Sequence, residues 1–466
     1  MVSFYDQLFD NVPERQKIID VLQILQSYGA RPYVVGGAVR DILAGHTMYD
    51  LDIEVHAISL EVLQEVLEKF GHVNLVGKSF GVLRWEHSAI EWTVPRYDLS
   101  GRKPVVVLDP MMGIVEALRR RDLTINAMAF DLVTRTVIDP FGGQNDLKNN
   151  SARSPDVRFF SEDPLRFFRI MHFIGRFELI PDEQLNKVCA TMDLRDVAQE
   201  RIFSEFDKLF LRSRVPSRGI RWMHMIKRLP EVLPELAATC DVEQSPQWHP
   251  EGDVFEHLMQ ALDAAAQSEY TDTEERLLIL PAALCHDLGK AIATKRVGEK
   301  IRSIGHEIVG VPLARALMNR ITGHKKRKKR VEVLVRYHMS PLQFYHNKAG
   351  DAAYKKLAVK VSPDVTLRQL IYLASADLRG RNGKAHVPLE TYAPLLDGFI
   401  DRVKTLGLLD GPEKPILSGA DFLDVLEPGV LIGKAVDRAY EIQLYENIRD
   451  KTRLKKRVVH ELRQKA

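Results

Sequence analysis

Cysteine is scarce in this chain, and long apolar runs are missing from it. No segment approaches the roughly 18 uncharged apolar residues that cross a bilayer. The first residues lack the basic segment and apolar run of a signal peptide. These absences argue against a membrane protein and a disulfide-rich secreted protein, and they predict a cytoplasmic location. The three cysteines match no disulfide or zinc-binding spacing: Cys189, Cys240 and Cys285.

An excess of charge of one sign is also missing. The net charge of +3 over 466 residues neither requires nor excludes a nucleic-acid partner. Basic residues cluster at 119–121, 325–330 and 451–457. Such clusters are usually solvated surface, but their recurrence favours a polyanionic partner. The length exceeds that of one compact core and predicts about three domains.

The hydrophobic pattern changes along the chain. Residues 1–150 combine predicted helices at 14–28 and 60–70 with short apolar segments typical of strands. From residue 163 onward, apolar residues recur at helical spacing. This order predicts an α+β fold, in which a head with a mixed β-sheet precedes an all-helical remainder. The predicted strands are 32–35, 51–56, 81–85, 89–94 and 105–108.

Two aspartates begin the second predicted strand, after a strand, a Gly36-Gly37 turn and a short helix. Asp50 and Asp52 are two residues apart, so their carboxylates share one face of the strand. Paired carboxylates suit Mg²⁺, and two ions held this way activate a 3′-hydroxyl and stabilise leaving pyrophosphate. The glycines let the backbone approach a triphosphate. Taken alone, the pattern also fits a turn with two solvent-facing aspartates.

Five motifs in order extend this interpretation: GGAVRD, DLD, RRRDLTINAMAFD, DPFGGQNDL and SEDPLRFFRIMHF. Together they resemble the class II nucleotidyltransferases, which comprise CCA-adding enzymes, CC- and A-adding specialists and bacterial poly(A) polymerases. The resemblance implies a nucleotidyltransferase-fold head in which Asp50 and Asp52 are catalytic and bind Mg²⁺. Asp41 would support the turn, and Glu91 would lie behind the catalytic pair. The implied nucleotide-binding residues are Gly36, Gly37, Arg40, Arg121, Asp122, Asn126, Asp163, Arg166 and Arg169.

Asp163 and Arg166 form a candidate base-reading pair. Three residues apart on a helix, they would share a face. A carboxylate accepts from the amine of cytosine or adenine, and a guanidinium donates to the adjacent ring acceptor, a pattern that uracil and guanine do not offer. The alternative is an ion pair within the helix. The family usually has a further arginine where this chain has His172, whose role stays open, and Glu200 and Glu205 are expected to brace helices.

The segment 96–117 stands where the family has a flexible loop that helps the site switch from C to A. Its length favours full CCA addition over the addition of CC alone.

A second set of residues, in the order H…HD…D, resembles the HD phosphohydrolase superfamily. Two imidazoles and two carboxylates suit a divalent ion such as Ni²⁺ or Mn²⁺, which would activate a water molecule. His306 and His338 are candidates for contact with substrate phosphate or a second ion; alternatively, they are packed core histidines. The implied metal ligands are His257, His286, Asp287 and Asp377.

A nucleotidyltransferase head followed by this set resembles the bacterial CCA-adding enzymes that also hydrolyse 2′,3′-cyclic phosphates. The predicted substrates are tRNA, CTP and ATP. The alternatives are a poly(A) polymerase or CC- or A-only enzyme, and an HD phosphohydrolase with an inactive, RNA-binding head. No membrane or protein partner is inferred, and oligomerisation is left open. The predicted domains are the head (1–150), a helical neck (151–245), the HD body (246–385) and a helical tail for tRNA contact (386–466).

Overall fold

The computed structural model describes residues 3–10, 12–46, 48, 50–76, 81–99, 105–392 and 394–465. The chain forms two compact units, the first unit (Met1–Arg228) and the second unit (Leu229–Ala466). Within the described ranges, no helix is both long enough and apolar enough to cross a membrane.

A mixed β-sheet organises the first unit. Its strands are β1 (Arg31–Val35), β2 (Leu51–His56), β3 (Val73–Val76), β4 (Val82–Trp85), β5 (Ile90–Thr93), β8 (Ala129–Asp131) and β9 (Thr136–Ile138). Outside this sheet, a hairpin is formed by β6 (Arg96–Leu99) and β7 (Val105–Leu108). A short parallel pair is formed by β10 (Ser151–Ala152) and β11 (Ile180–Pro181). Among the described residues, the strand order is β3-β4-β5-β2-β1-β8-β9. β2 and β5 are parallel, whereas the other neighbours are antiparallel. The predicted mixed sheet is confirmed.

Helices alternate with these strands in the sequence and continue to the end of the first unit. They are α1 (Phe4–Phe9), α2 (Arg15–Ser27), α3 (Gly37–Leu43), α4 (Leu60–Glu68), α5 (Ile114–Arg119), α6 (Gly143–Lys148), α7 (Val157–Glu162), α8 (Leu165–Phe177), α9 (Glu183–Thr191), α10 (Gln199–Arg212) and α11 (Ser217–Met225), with a 3₁₀ turn at Thr124–Asn126.

Strand β2 shows how the sequence builds the sheet and positions the catalytic candidates together. Leu51, Ile53 and Val55 are buried on one face, as the period of two requires. They belong to a core that also contains the apolar residues of α2 and α4. The same alternation leaves Asp52 partly exposed on the opposite face.

In the part of the second unit that the structure describes, the elements are helices apart from one hairpin, β12 (Lys295–Val297) with β13 (Lys300–Arg302). The sequence did not lead us to expect this hairpin. Its helices are α12 (Leu229–Val232), α13 (Pro234–Ala237), α14 (Val254–Ala266), α15 (Thr273–Cys285), α16 (Lys290–Ala293), α17 (His306–Ile321), α18 (Lys325–Tyr337), α19 (Ser340–His346), α20 (Asp351–Val361), α21 (Leu367–Arg379), α22 (Asp397–Thr405), α23 (Val430–Glu446) and α24 (Lys451–Lys465), with 3₁₀ turns at Pro394–Leu396 and Gly419–Phe422.

Helix α14 lies at the centre of the HD region. Every residue of α14 is buried, and the helix packs against α15 and α21. Its N-terminus is fixed by Asp253, whose side chain accepts a hydrogen bond from the backbone N–H of Glu256. A helix buried on all sides places any histidine that it carries in the interior, and α14 carries His257.

One local expectation is wrong. Asp163 and Arg166 do not share a helix, because Asp163 has an extended backbone (φ −116°, ψ 101°) between α7 and α8. The cause is Pro164, since proline disfavours the helical conformation for the residue before it. Arg166 lies in the first turn of α8. The side chain of Asp163 therefore comes from the extended connection before α8, whereas that of Arg166 comes from the helix itself.

Candidate active sites

Three carboxylates gather at the open face of the sheet. Asp50 is exposed and directly precedes β2, and Asp52 is the second residue of that strand. Because β5 runs parallel to β2, Glu91 lies directly opposite Asp52 in the register. The structure thus brings together the predicted catalytic pair and the predicted supporting carboxylate.

The electrostatics of this cluster favour a bound cation. The pKa of Asp52 is raised to about 6, chiefly by burial and also by the negative charges of Glu91 and Asp50, against the opposing effect of Arg121. A bound cation would stabilise the charged form of this partly buried carboxyl group. Divalent cations with carboxylate ligands are suited to such a cluster.

The glycine turn and Arg121 lie beside these carboxylates. Gly36 connects β1 to α3 with a φ of +70°, which side-chain-bearing residues rarely adopt. A Cβ atom at this position would overlap the guanidinium of Arg121. The charge of Arg121 also acts on Asp52. A guanidinium between a glycine turn and a carboxylate cluster can bind phosphate oxygens next to a metal ion.

The remaining predicted nucleotide contacts of this region are bonded to each other. Arg40 is buried, donates from Nε to Asp41 Oδ1 at 2.8 Å and also contacts Asn126 Oδ1. Asn126 Nδ2 donates to Asp122 Oδ1 at 2.8 Å, and Arg169 Nε donates to Asp122 Oδ2 at 2.6 Å. Burial opposes ionisation of Asp122, but Arg169 and Asn126 hold its pKa well below the ordinary value. This network indicates that these side chains support the glycine turn.

The candidate base-reading pair has unforeseen partners. Arg166 donates to two backbone carbonyls, those of Phe159 and Arg120, at 2.5 Å each. Asp163 Oδ2 accepts from Arg201 Nη2 at 3.0 Å. Sequence reasoning missed Arg201, although it lies between Glu200 and Glu205, which were expected to brace helices. These three contacts come from residues at least seven positions away in the sequence.

His172 contacts a neighbouring helix. Its Nδ1 lies 2.7 Å from Glu205 Oε2, and both side chains are buried between α8 and α10. Burial lowers the pKa of His172 to about 4, against the effect of Glu205. Burial would raise the pKa of Glu205, but His172, Arg169 and Lys208 lower it to about 2. At neutral pH, a neutral imidazole therefore donates to a carboxylate and links the two helices.

The segment 96–117 contains the β6–β7 hairpin and part of α5. Its residues 100–104 lie outside the described residues, so the predicted flexible loop is described only on either side of them.

In the second unit, the four predicted metal ligands converge. His257 Nε2 lies 3.2 Å from His286 Nε2, 3.5 Å from Asp287 Oδ2 and 3.3 Å from Asp377 Oδ1. All four residues are buried, and they come from α14, the end of α15 and α21. Buried imidazoles and carboxylates this close together are typical of a site for a transition-metal ion.

Two cations that the sequence analysis did not name contact the carboxylates of this set. Lys290 Nζ lies 2.7 Å from Asp287 Oδ2, and Arg381 Nη2 lies 2.7 Å from Asp377 Oδ1. Their spacings of three and four residues from the two aspartates could have revealed them. A pocket of about 500 Å³ is lined by both cations, both aspartates and the exposed Trp248. It can admit a phosphorylated substrate to the metal ligands.

Glu251 was also missed, and no spacing rule identifies it. Its Oε1 lies 2.7 Å from His257 Nδ1 and 2.9 Å from His249 Nδ1. Burial lowers the pKa of His257, but hydrogen bonds with Asp377 and Glu251 raise it to about 9. A carboxylate behind a metal-binding histidine fixes the ring and its tautomer. Glu251 therefore directs His257 Nε2 toward the ligand set.

Comparison with known proteins assigns both regions to families. A family model described as the Poly A polymerase head domain matches residues 32–153, and one described as the HD domain matches residues 254–374. The multifunctional CCA protein of Halorhodospira halophila is 33% identical over 368 residues, which cover 76% of this chain and 84% of that protein. This chain belongs to the multifunctional CCA protein family.

Two solved structures have the same fold. The Bacillus stearothermophilus CCA-adding enzyme in complex with CTP is 18% identical and has a TM-score of 0.65. The match covers 97% of this chain and 98% of the chain of that enzyme. The Thermotoga maritima CCA-adding enzyme complexed with tRNA is 20% identical, has a TM-score of 0.60, and covers 99% of both chains. The predicted nucleotidyltransferase head with a helical, HD-containing remainder is confirmed. Both domain types imply dependence on divalent metal ions.

Proposed function

We propose that this protein adds C, C and A to the 3′ end of tRNA, using CTP and ATP. The observation that carries the proposal is the carboxylate cluster of Asp50, Asp52 and Glu91 beside the Gly36 turn and Arg121. Membership of the multifunctional CCA protein family supports the reaction class. The related structures, one in complex with CTP and one with tRNA, support the substrates.

In each addition, the 3′-hydroxyl oxygen of tRNA bonds to the α-phosphorus of the nucleotide, the hydroxyl loses its proton, and the bond to pyrophosphate breaks. Asp50 and Asp52 would hold Mg²⁺, which activates the hydroxyl and stabilises the leaving group. Arg121 would bind the triphosphate oxygens. The network from Arg40 to Arg169 would hold the turn in place, with Gly36 and Gly37 against the phosphates.

Nucleotide selection would belong to Asp163 and Arg166. Asp163 accepts hydrogen bonds and can receive the exocyclic amine of cytosine or adenine. Arg166 donates and can bond to the ring acceptor beside that amine. Arg201 and the carbonyls of Phe159 and Arg120 hold the pair in the described structure. Nucleotide binding must compete with these contacts.

The second unit would hydrolyse 2′,3′-cyclic phosphates and related phosphomonoesters. His257, His286, Asp287 and Asp377 would hold an ion such as Ni²⁺ or Mn²⁺, which lowers the pKa of a bound water. Lys290 supplies positive charge at the pocket wall for the phosphate. This activity suits damaged tRNA, since a blocked 3′ end must become a hydroxyl before it accepts a nucleotide.

The proposed domain division is 1–150 for the head, 151–245 for the neck, 246–385 for the HD body and 386–466 for a tail that contacts tRNA. A role in tRNA maturation and repair fits a cytoplasmic location. The basic residues of α24 support contact between the tail and a polyanion.

Incubating a tRNA that lacks its 3′ CCA with each nucleotide alone and with CTP and ATP together tests the first activity. CTP alone should add two residues, and both nucleotides should add three. A long adenosine tail would indicate a poly(A) polymerase, and no extension would indicate a head that only binds RNA. Hydrolysis of 2′,3′-cyclic AMP in the presence of Ni²⁺, Mn²⁺, Co²⁺ or Mg²⁺ tests the second activity. The absence of hydrolysis with every ion would refute it.

A further inference from the structure

The β12–β13 hairpin of the second unit has a defined conformation at both of its ends. Val297 lies opposite Lys300 in the register, so a two-residue turn joins the strands. Gly298 has a φ of +61°, as the first position of a two-residue hairpin turn requires. At the open end, Thr294 Oγ1 and Ser303 Oγ lie 2.8 Å apart. The side chains between these ends are therefore held on two defined faces.

The two faces of this hairpin differ in charge. Residues directly opposite each other share a face, and so do residues two apart on one strand. Lys295 is opposite Arg302 and therefore shares a face with Arg302 and Lys300, all three of which are exposed. The other face carries Ile301, which is partly buried, and Arg296, whose Nη2 lies 2.7 Å from a carboxylate oxygen. The second face lies against the protein, and the first presents three cations to solvent.

The charge of this cationic face is not neutralised by the protein. Within the described ranges, Lys295, Lys300 and Arg302 form no salt bridge. The hairpin sequence KRVGEKIR contains four cations and only one acidic residue. By contrast, two members of the basic cluster 325–330 lie 3.0–3.5 Å from carboxylates. Exposed cations without acidic partners attract phosphate groups.

The cationic face adjoins the pocket of the proposed HD site. Arg302 lines that pocket together with Trp248 and Ile304, which are 53% and 80% exposed. Lys300 is two residues closer to the turn, or about 7 Å from Arg302 along the strand. Proteins that hold a single nucleic-acid strand place cations along its backbone and an aromatic ring against a base. The hairpin and Trp248 supply both features at one pocket.

We propose that the second unit takes the 3′ end of an RNA strand, rather than a free mononucleotide, as its substrate. The terminal base would stack on Trp248, and its 2′,3′-cyclic phosphate would reach Lys290 beside the metal ligands. Arg302, Lys300 and Lys295 would bind the phosphates of the preceding nucleotides. This inference rests on the proposed phosphohydrolase function and adds the substrate class. A mononucleotide has no preceding phosphates and therefore gains nothing from the hairpin.

Kinetics with two substrates test the role of the hairpin. The full-length protein, with the divalent ion that gives the fastest hydrolysis, would be assayed with 2′,3′-cyclic AMP and with a short single-stranded RNA that ends in a 2′,3′-cyclic phosphate. Lys295→Gln combined with Lys300→Gln should lower kcat/KM for the RNA more than for the mononucleotide. The slope of log kcat/KM against log salt concentration for the RNA should become shallower by about 1.4, or about 0.7 per lost phosphate contact.

A matched variant controls for the loss of charge. Lys360→Gln combined with Lys404→Gln removes the same charge from two exposed lysines of the same unit and should leave both substrates and the salt slope at wild-type values. An equal change for the two substrates in the Lys295 and Lys300 variant, or an unchanged salt slope, would overturn the role of the hairpin.

Substitutions of Trp248 test the proposed contact with the base. Trp248→Ala should raise KM for both substrates by about 5- to 150-fold, as expected for the loss of one stacked base. Trp248→Phe, which keeps an aromatic ring, should recover most of this loss. An unchanged KM in Trp248→Ala would overturn the contact.

A crosslink separates failure of this inference from failure of the proposed phosphohydrolase function. The same RNA, ending in a 3′-phosphate and carrying 4-thiouridine before the terminal nucleotide, would be irradiated with the wild-type protein, and the crosslinked peptides would be identified by mass spectrometry. We expect crosslinks within residues 294–304. If neither substrate is hydrolysed, the phosphohydrolase function fails, and the crosslink still decides the RNA contact. No crosslink in this segment, or its loss to a polyglutamate peptide as readily as to unlabelled RNA, would overturn the inference.

Discussion

The two candidate metal sites differ in burial and in ligand type. In the first unit, Asp50 is exposed and Asp52 is partly exposed, and the cluster offers only oxygen. In the second unit, His257, His286 and their aspartate neighbours are buried and offer nitrogen and oxygen. An open carboxylate site suits Mg²⁺, which keeps several waters and is often bound together with substrate phosphates. A buried mixed set suits a resident transition ion.

The sites also differ in how the chain assembles them. Alternation along β2 places Asp50 and Asp52 together through neighbouring residues, and β5 adds Glu91. The four proposed ligands of the HD site meet only when α14, α15 and α21 pack against each other, because His257 and Asp377 are far apart in the sequence. A substitution at one site should therefore leave the other site's chemistry intact, because the two lie in different compact units.

The largest effect is expected at the head. Asp52→Asn removes the charge of a proposed metal ligand without changing side-chain size. Metal stabilisation is worth several kcal/mol, so nucleotide addition should fall by about 10³-fold or more. Incorporation of labelled CMP into tRNA measures it. Hydrolysis of 2′,3′-cyclic AMP by the same preparation serves as the internal control and should not change. Near wild-type incorporation would show that Asp52 is not a metal ligand.

The reciprocal substitution should show the opposite pattern. Asp287→Ala removes a carboxylate with contacts to four imidazoles and Lys290. Hydrolysis of 2′,3′-cyclic AMP should fall by about 10³-fold for the same reason, whereas CCA addition should be retained. Loss of both activities in a folded variant would contradict the independence of the two sites.

A smaller effect is expected on nucleotide choice. Asp163→Ala removes one half of the proposed base-reading pair and should reduce discrimination against UTP and GTP by about 1–3 kcal/mol, or roughly 5- to 150-fold. Single-nucleotide incorporation with each of the four nucleotides measures this. Asp193→Ala, which removes an exposed carboxylate paired with Arg195, is the matched control. A lower rate with unchanged selectivity would assign Asp163 a purely structural role through Arg201.

The last expected effect concerns the stability of the fold rather than either activity. The pKa of His172 is about 4 when folded and about 6.5 when unfolded, so the folded state binds the proton less readily. Its contribution to stability is complete above pH 6.5 and is lost as the pH falls from 6.5 to 4, amounting to about 3 kcal/mol. His172→Gln should therefore reduce the fall in melting temperature across this range, as measured by calorimetry. His87→Gln, at an exposed site, should show the same fall in melting temperature as the wild type. If His172→Gln also shows the wild-type fall, the lowered pKa is not that of His172.

Much of the first unit could be predicted from local patterns. The alternation of β2, the glycine turn before α3 and the Asp50–Asp52 spacing are all set by adjacent residues. The partners of Asp163 could not be predicted in this way, because Pro164 breaks the expected helix and Arg201 comes from α10. Glu251 was equally inaccessible, because a loop residue behind His257 has no periodic signal. Motifs reveal residues that share an element, but contacts between distant segments need the fold.

The most direct test of the central claim is the mass of the tRNA product. A tRNA lacking its 3′ CCA would be incubated with the wild-type protein and equal concentrations of all four nucleotides, and the intact product would be measured by mass spectrometry. The account predicts a single product heavier by two CMP residues and one AMP residue, because only cytosine and adenine match Asp163 and Arg166. A product with uridine or guanosine, a longer adenosine tail, or no mass increase would contradict it.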